Sequence, residues 1–124
     1  MSKIRILIAE DDKSIRELYD KGLVDDMFEK RFAENGKEAL EAFQEWKPDL
    51  LVLDIVMPVM TGFIVLQEIR NTLKDTITPI VMATSMSDPQ DVRDCVKFGI
   101  QGYIVKPFKF KEIGNRIMHC VQKD

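Results

Sequence analysis

Short apolar runs, separated by stretches of helical periodicity, constrain the fold of this chain more than any other feature. Four strong runs lie at residues 4–8, 50–53, 80–83 and 103–105, and a weaker one lies at residues 28–33. Most of them do not alternate between apolar and polar residues, which is typical of strands that are buried on both faces. Between them, apolar residues recur three or four positions apart and predict helices. The predicted order is therefore a strand followed by a helix, repeated five times.

Residues with strong preferences for helix ends support these boundaries. Asp12 and Thr61 are predicted to cap the first and third helices, and Asp88 followed by Pro89 predicts the start of the fourth. Gly99 is predicted to end the fourth helix, whose apolar stripe is thin. Strands that alternate with helices predict an α/β fold with a parallel sheet and helices on both of its faces. In such folds ligands bind beyond the carboxyl ends of the strands.

The length and charge of the chain limit the classes of protein to which it can belong. With 124 residues, it is expected to form a single domain over residues 1–124. Its net charge is −3, with both signs interspersed, which argues against direct nucleic-acid binding. The first apolar run, of about six residues, is too short for a signal peptide or a membrane span. These features predict a soluble, cytoplasmic protein.

The cysteine and histidine residues do not suggest a metal site. Cys95 and Cys120 are too few and too far apart in sequence to form a disulfide framework or a thiolate site, and we interpret them as reduced thiols. His119, the only histidine, is interpreted as a surface residue of the last helix. Candidate functional residues are therefore sought at the strand ends.

Acidic residues follow two of the predicted strands, at the edge where ligands are expected. Glu10 and Asp11 follow the first strand, and Asp54 follows the third. If these strands are neighbours, the three carboxylates converge, and carboxylates so close together resist ionising at the same time. A cation is needed to relieve this repulsion. Carboxylate ligands, with positions left for water and phosphate, favour Mg²⁺, or Mn²⁺, over zinc.

Two further strand ends carry groups of complementary chemistry. The fourth strand runs into Thr84 and Ser85, and the fifth runs into Lys106. A carboxylate flanked by a divalent cation, an ammonium group and a hydroxyl is a poor general base but a well-placed nucleophile toward phosphorus. Each residue alone has an ordinary structural explanation, as a helix start, a turn or a solvated charge. Their common position at one edge is what indicates a phosphoryl-accepting site at Asp54.

The motifs at these strand ends resemble those of the CheY-like response-regulator receiver family, over essentially the whole chain. They are the acids at residues 10–12, LVLDIVMPVMTG at residues 51–62, PIVMATS at residues 79–85 and GYIVKPF at residues 102–108. Each motif is modest by itself, but their order and spacing together are highly specific. The resemblance implies a flavodoxin-like (βα)5 fold with strand order 2-1-3-4-5, an order that the alternation alone does not select.

The same resemblance implies roles for individual residues. Asp54 would be the phosphoacceptor, and Thr84 and Lys106 would contact the phosphoryl group. Mg²⁺ would be held by Glu10, Asp11, Asp54 and the backbone carbonyl of Val56. Glu10 stands where aspartate is more frequent, which lengthens the reach of the carboxylate to the metal and its water shell.

A conformational switch is also implied by the resemblance. On phosphorylation, the Thr84 hydroxyl would shift toward the phosphoryl group and the ring of Tyr103 would turn inward. This population shift would remodel the face formed by the fourth helix, fifth strand and fifth helix. The bond between Lys106 and Pro107 would be cis, in a tight turn that presents the lysine.

The implied setting is two-component signalling. A sensor histidine kinase or a histidine phosphotransfer protein would donate the phosphoryl group, and a downstream protein would bind the remodelled face. The chain would be a monomer or a weak, phosphorylation-linked dimer, and it would catalyse only its own phosphorylation and dephosphorylation. Because the sequence ends at Asp124 after the fifth helix, we expect a stand-alone receiver, although an excised domain would look the same.

Three other functions are weighed against this one. A phosphorelay intermediate would have the same site and would differ only in its partner. A Mg²⁺-dependent aspartyl phosphatase of the haloacid-dehalogenase type normally has a second aspartate two residues after the nucleophile, where this chain has Val56. A flavodoxin-like cofactor binder would need a phosphate-binding loop after the first strand, but the acids at residues 10–12 would repel phosphate in the absence of metal.

Overall fold

Five parallel strands form the centre of the protein. The computed structural model describes residues 2–121, so Met1 and residues 122–124, which fall within the predicted domain, lie outside the described residues. The strands are β1 (Ile4–Ala9), β2 (Phe28–Ala33), β3 (Leu50–Leu53), β4 (Ile80–Thr84) and β5 (Gly102–Val105). They pair in the order β2-β1-β3-β4-β5, all parallel. The predicted α/β fold and strand order are confirmed.

Five helices follow the strands in the predicted alternation. They are α1 (Lys13–Gly22), α2 (Gly36–Trp46), α3 (Gly62–Gln67), α4 (Pro89–Phe98) and α5 (Phe110–Val121). One buried cluster places residues of α2, α3 and α4 against one face of the sheet. A second cluster places residues of α1 and α5 against the other face. Apolar residues fill both faces, which explains why the strand sequences do not alternate.

The predicted helix caps are all present. The Asp12 carboxylate accepts hydrogen bonds from the backbone N–H groups of Ser14 and Ile15, at 2.8 and 3.2 Å. Thr61 and Asp88 cap α3 and α4 in the same way. Gly99 follows α4 with φ of 97°, a conformation that side chains with a Cβ rarely adopt. These caps set where each helix begins, and so where the strand-end loops lie.

The end of the third helix differs from the regular helix that is predicted by the helical spacing of four apolar residues, Phe63, Leu66, Ile69 and Leu73. Residues Glu68–Thr72 form a π-helical segment, with a hydrogen bond from the N–H of Leu73 to the carbonyl of Glu68. Arg70, in this segment, is buried and donates to the carbonyls of Gly99, Asp75 and Thr78, each at 2.9 Å. The charged side chain of this segment therefore lies inside the protein, where three backbone carbonyls accept hydrogen bonds from its guanidinium.

No helix within residues 2–121 is long and apolar enough to cross a membrane. His119 is exposed, as expected for a surface residue of α5, whereas Cys95 is buried. Burial raises the pKa of the Cys95 thiol to about 11. A thiol with so high a pKa is largely protonated at neutral pH and is a poor nucleophile.

Candidate functional site

The ends of β1 and β3 bring the predicted acidic residues together. The N–H of Asp54 donates to the carbonyl of Ala9 at 3.1 Å, and the N–H of Glu10 donates to the carbonyl of Ala33 at 3.0 Å. These bonds extend the sheet pairing by one residue beyond each strand. A Cβ atom on Gly62 would lie 1.9 Å from the carbonyl oxygen of Asp54. Glycine at this position therefore allows the start of α3 to approach the strand end that carries Asp54.

Three carboxylates form a cluster at this edge. Glu10, Asp11 and Asp54 each offer an oxygen atom, and these atoms all lie within 4.8 Å of one another. Glu10 and Asp54 are buried, with 1% and 5% of their surface exposed, whereas Asp11 is exposed. Within residues 2–121, no other group of three potential metal-ligating residues is this close. The convergence that the sequence predicts for these acids is present.

Lys106 lies between the two buried carboxylates. Its Nζ donates to Oδ2 of Asp54 at 2.7 Å and to Oε1 of Glu10. The residue follows β5, in a turn that contains a cis peptide bond between Lys106 and Pro107, as the resemblance implies. Burial lowers the pKa of Lys106, but the hydrogen bonds to the two carboxylates outweigh it and raise this pKa above its ordinary value. Lys106 is therefore charged at neutral pH.

The carboxylates carry more negative charge than one lysine neutralises. Burial raises the pKa of Glu10 and outweighs the hydrogen bond from Lys106, which lowers it. The second oxygen of Glu10 accepts from the N–H of Asp12 at 3.1 Å, and the second oxygen of Asp54 accepts from the N–H of Val56 at 3.2 Å. A set of donors made only of oxygen atoms fits a hard divalent cation such as Mg²⁺. The residues present therefore fit the predicted metal.

A cleft of about 430 Å³ opens above this cluster. Its acidic side is formed by Glu10, Asp11, Asp12 and Asp54, next to Lys106 and Ser85. Its apolar wall is formed by Ile15, Leu18, Val56, Pro107 and Phe108. The cleft is large enough for a phosphoryl group and part of its donor to reach Asp54.

The two hydroxyl residues at the end of β4 differ in position. Ser85 lines the cleft, whereas Thr84 does not and is completely buried. The Thr84 hydroxyl accepts a hydrogen bond from the N–H of Met86 at 3.3 Å. Successive side chains of a strand point to opposite sides. Because the two hydroxyl residues are adjacent in sequence, only one of them can face the cleft, and this could have been inferred from the sequence.

Tyr103 is connected to Thr84 through the main chain of Met86. The phenol of Tyr103 donates to the carbonyl of Met86 at 2.7 Å, and the N–H of the same residue is the donor to Thr84. Tyr103 is half-buried, and burial raises its pKa to about 12. The phenol therefore keeps its proton and this hydrogen bond at neutral pH.

One contact at the site was not predicted from the sequence. Nη1 of Arg16, on α1, donates to the backbone carbonyl of Glu10 at 2.9 Å. The two residues are six positions apart and lie in different elements, so neither helical periodicity nor a short motif indicates the pair. Arg16 thus holds the main chain from which the acidic residues project.

Comparisons with known proteins agree with this geometry. Residues 6–118 match the family model described as the response regulator receiver domain. The probable transcriptional regulator ycf27 of Porphyridium aerugineum is 37% identical over 123 residues, which are 99% of this chain and 50% of that protein. The chain therefore spans about half the length of the curated relatives it matches.

Two solved structures have the same fold over nearly the whole chain. The chemotaxis response regulator CheY4 of Vibrio cholerae has a TM-score of 0.87 at 30% identity, covering 97% of this chain and 100% of that one. The CheY of Borrelia burgdorferi, solved in a complex with CheX, BeF3 and Mg²⁺, has a TM-score of 0.86 at 26% identity. That match covers 97% of this chain and 90% of the other.

Proposed function

The chain belongs to the response regulator receiver family of two-component signalling systems, and on this basis we propose that it is switched by phosphorylation of Asp54. The phosphoryl group would come from a sensor histidine kinase or from a histidine phosphotransfer protein. As a signalling domain it would catalyse its own phosphorylation and dephosphorylation, and would not turn over external substrates. The proposed kinase chemistry uses intracellular donors, so a cytoplasmic location is part of the proposal.

The observation that carries this proposal is the buried carboxylate of Asp54 at the base of an open cleft. It is 5% exposed and hydrogen-bonded to Lys106 at 2.7 Å. In the transfer, a carboxylate oxygen of Asp54 forms a bond to phosphorus while the bond from phosphorus to the donor's nitrogen breaks, and that nitrogen keeps the electron pair. Lys106 is placed to neutralise the charge on the phosphoryl oxygens.

The proposed metal ligands are Glu10, Asp11, Asp54 and the backbone carbonyl of Val56. Mg²⁺ is the preferred ion, and Mn²⁺ has the same ligand preferences. When bound, the ion would offset the repulsion among the carboxylates and the incoming phosphoryl group. The burial of Glu10 and Asp54, which excludes most water from their side chains, strengthens these electrostatic interactions.

The proposed switch acts through Thr84 and Tyr103. A phosphoryl group on Asp54 would draw the Thr84 hydroxyl toward it, and the N–H of Met86 would lose its present acceptor. Because the carbonyl of Met86 accepts from Tyr103, a movement of Met86 changes where the ring of Tyr103 is held. The two residues would thereby couple the site to the surface formed by α4, β5 and α5.

We propose that a downstream protein binds this α4-β5-α5 surface, and that the chain is a monomer or a weak, phosphorylation-linked dimer. Val96 and Val105, on α4 and β5, are exposed apolar residues that a partner could cover. A phosphorelay role would use the same site with a different partner. The Borrelia CheY complex provides a precedent in a relative for binding of a further protein.

The test is labelling with a small phosphodonor, acetyl phosphate, followed by intact-mass spectrometry. We expect one phosphoryl group per chain in the presence of Mg²⁺ and none in EDTA. The Asp54→Asn variant removes the nucleophile with almost no change of shape, so it should stay unlabelled. Label that forms equally well in Asp54→Asn, or equally well in EDTA, would contradict the proposal.

A further inference from the structure

The three clustered carboxylates are not held equally. Glu10 and Asp54 each accept hydrogen bonds on both oxygens, from Lys106 and from a backbone N–H. The carboxylate of Asp11 has no hydrogen-bond or salt-bridge partner within the part of the chain that the structure describes, and the residue is exposed. Its carboxylate can therefore be directed toward the cluster only by its own main chain.

The main chain before Asp11 is held by Arg16. The carbonyl of Glu10 belongs to the same planar peptide unit as the N–H of Asp11, and Nη1 of Arg16 donates to this carbonyl at 2.9 Å. The backbone N–H of Arg16 also donates to the carbonyl of Asp12, at 3.0 Å. That second bond is a regular i→i−4 bond of α1, which any residue at this position would make, so only the side-chain bond to Glu10 is specific to arginine. A donor on the carbonyl oxygen of Glu10 restrains rotation of the peptide plane, and so restrains the direction in which the Cα–Cβ bond of Asp11 leaves the loop.

The other charged contact of Arg16 is weak. Nη2 of Arg16 lies 3.9 Å from Oε1 of Glu34, whose side chain is 66% exposed. Exposed ion pairs of this length contribute little to stability. The side chain of Arg16 itself is only 18% exposed, so most of it is shielded from solvent. The hydrogen bond to Glu10 is therefore its principal interaction.

The positive charge of Arg16 has an effect opposite to that of its hydrogen bond. A cation beside an acidic cluster repels an incoming Mg²⁺, so loss of the charge alone would strengthen metal binding. Loss of a hydrogen bond that orients a ligand weakens metal binding, commonly by 10- to 100-fold. The direction of the change on substitution therefore distinguishes the two effects.

We propose that Arg16 is a positioning residue for the metal, which holds the Glu10–Asp11 peptide so that the Asp11 carboxylate points into the cluster. The inference rests on the proposed function, because it assumes that Glu10, Asp11 and Asp54 bind Mg²⁺. It extends that function to a residue of α1 that touches neither the metal ligands' carboxylates nor the phosphoryl group.

The test is the dissociation constant of Mg²⁺, measured by calorimetric titration of the unphosphorylated protein. We expect Arg16→Gln to bind Mg²⁺ about tenfold more weakly than wild type. Arg16→Lys keeps a charged donor at the same position and is expected to lose less affinity. It also provides a measurement if Arg16→Gln does not fold.

Two matched variants control for stability and for charge. Lys30→Gln removes another poorly exposed cation, which donates to the carbonyls of Asp20 and Leu23 near the far end of α1. Glu34→Gln removes the weak ion pair of Arg16 and leaves the bond to Glu10 in place. Both are expected to bind Mg²⁺ within about twofold of wild type, since neither touches the loop that carries the metal ligands.

The outcomes separate this inference from the proposed function. Mg²⁺ binding by wild type, together with unchanged or tighter binding by Arg16→Gln, would overturn the role of Arg16 alone. Equal weakening in Arg16→Gln and Lys30→Gln would show a general loss of stability and would overturn it as well. A loss in Arg16→Lys as large as in Arg16→Gln would also count against it. Absence of Mg²⁺ binding in wild type would refute both proposals.

Discussion

Replacing Lys106 with methionine should leave two buried carboxylates facing each other without a cation. The side chains of Glu10 and Asp54 are 2% and 6% exposed, and both are hydrogen-bonded to the Lys106 ammonium. Methionine has a similar length and no charge, so the substitution tests electrostatics more than packing. The expected result is a large loss of stability in the absence of metal.

The size of the loss follows from the geometry. Two negative charges no more than 4.8 Å apart repel each other by about 3 kcal/mol or more at an effective dielectric constant of about 20. Removing one partner from a buried ion pair typically costs about 3–5 kcal/mol, which agrees with that value. We therefore expect a loss of about 3 kcal/mol in the free energy of unfolding, or roughly 10 °C in Tm.

Urea unfolding at pH 7 in EDTA measures this loss. Lys109→Met is the control, because Lys109 is an exposed lysine three residues away and such substitutions usually change stability by less than about 0.5 kcal/mol. Millimolar Mg²⁺ should restore part of the loss in Lys106→Met, since a bound cation again neutralises the pair. A loss no greater than that of Lys109→Met would refute the claim that Lys106 neutralises two buried carboxylates.

Three further predictions concern metal, pH and hydrolysis. Mg²⁺ should raise the Tm of wild type but not of Asp11→Ala, and an unchanged Tm in wild type across millimolar Mg²⁺ would count against the site. Partial burial raises the pKa of Asp75, but the hydrogen bonds from Thr78 and Ile77 lower it by more. The pKa of Asp75 is therefore below its ordinary 3.8. The contribution of this carboxylate to stability is therefore present above pH 3.8 and lost as the pH falls through the lowered pKa. Urea unfolding should show Asp75→Asn less stable than wild type at pH 6, and the difference in stability should shrink as the pH falls below 3.8. The side chains of Val56 and Met86 offer no polar group to hold an attacking water, so phosphoryl loss, followed by intact mass, should be faster in Val56→Asn/Met86→Glu. Equal or slower loss would show that water access is controlled elsewhere.

The strands and helix starts could be predicted because they depend on local chemistry. An unalternated run only four residues long, such as residues 50–53, is typical of a strand that is buried on both faces. Asp12 and Thr61 are followed by N–H groups that need an acceptor, wherever the helix lies in the fold. The order in which the strands lie side by side does not depend on local chemistry. It was predicted only from the family resemblance.

The parts that sequence reasoning missed all depend on contacts between different elements of the fold. The buried guanidinium of Arg70 donates to carbonyls of Gly99 and Thr78, which lie outside its own helix, 29 and 8 positions away. The π-helical segment that carries it has a helical apolar pattern like that of any α-helix, so periodicity did not reveal it. Arg16 was missed for the same reason, because its acceptor is the backbone carbonyl of Glu10 and has no residue-type signature.

The sequence predicted which residues form the site better than it predicted how their side chains are oriented. Converging acids and Lys106 followed from four strand ends at one edge. The burial of Thr84 and the opening of Ser85 to the cleft depend on how β4 is rotated in the sheet. Two adjacent hydroxyl residues do not by themselves indicate which one faces the ligand.

The central claim, that Asp54 accepts the phosphoryl group, is tested most directly by locating the label. Acyl phosphates are reduced by borohydride to the corresponding alcohol, so an aspartyl phosphate becomes homoserine. After labelling with acetyl phosphate in Mg²⁺ and reduction, tandem mass spectrometry of the peptides should find homoserine at position 54. Homoserine at another aspartate, such as Asp11, or no reduced residue in a protein that carries the label, would contradict the claim.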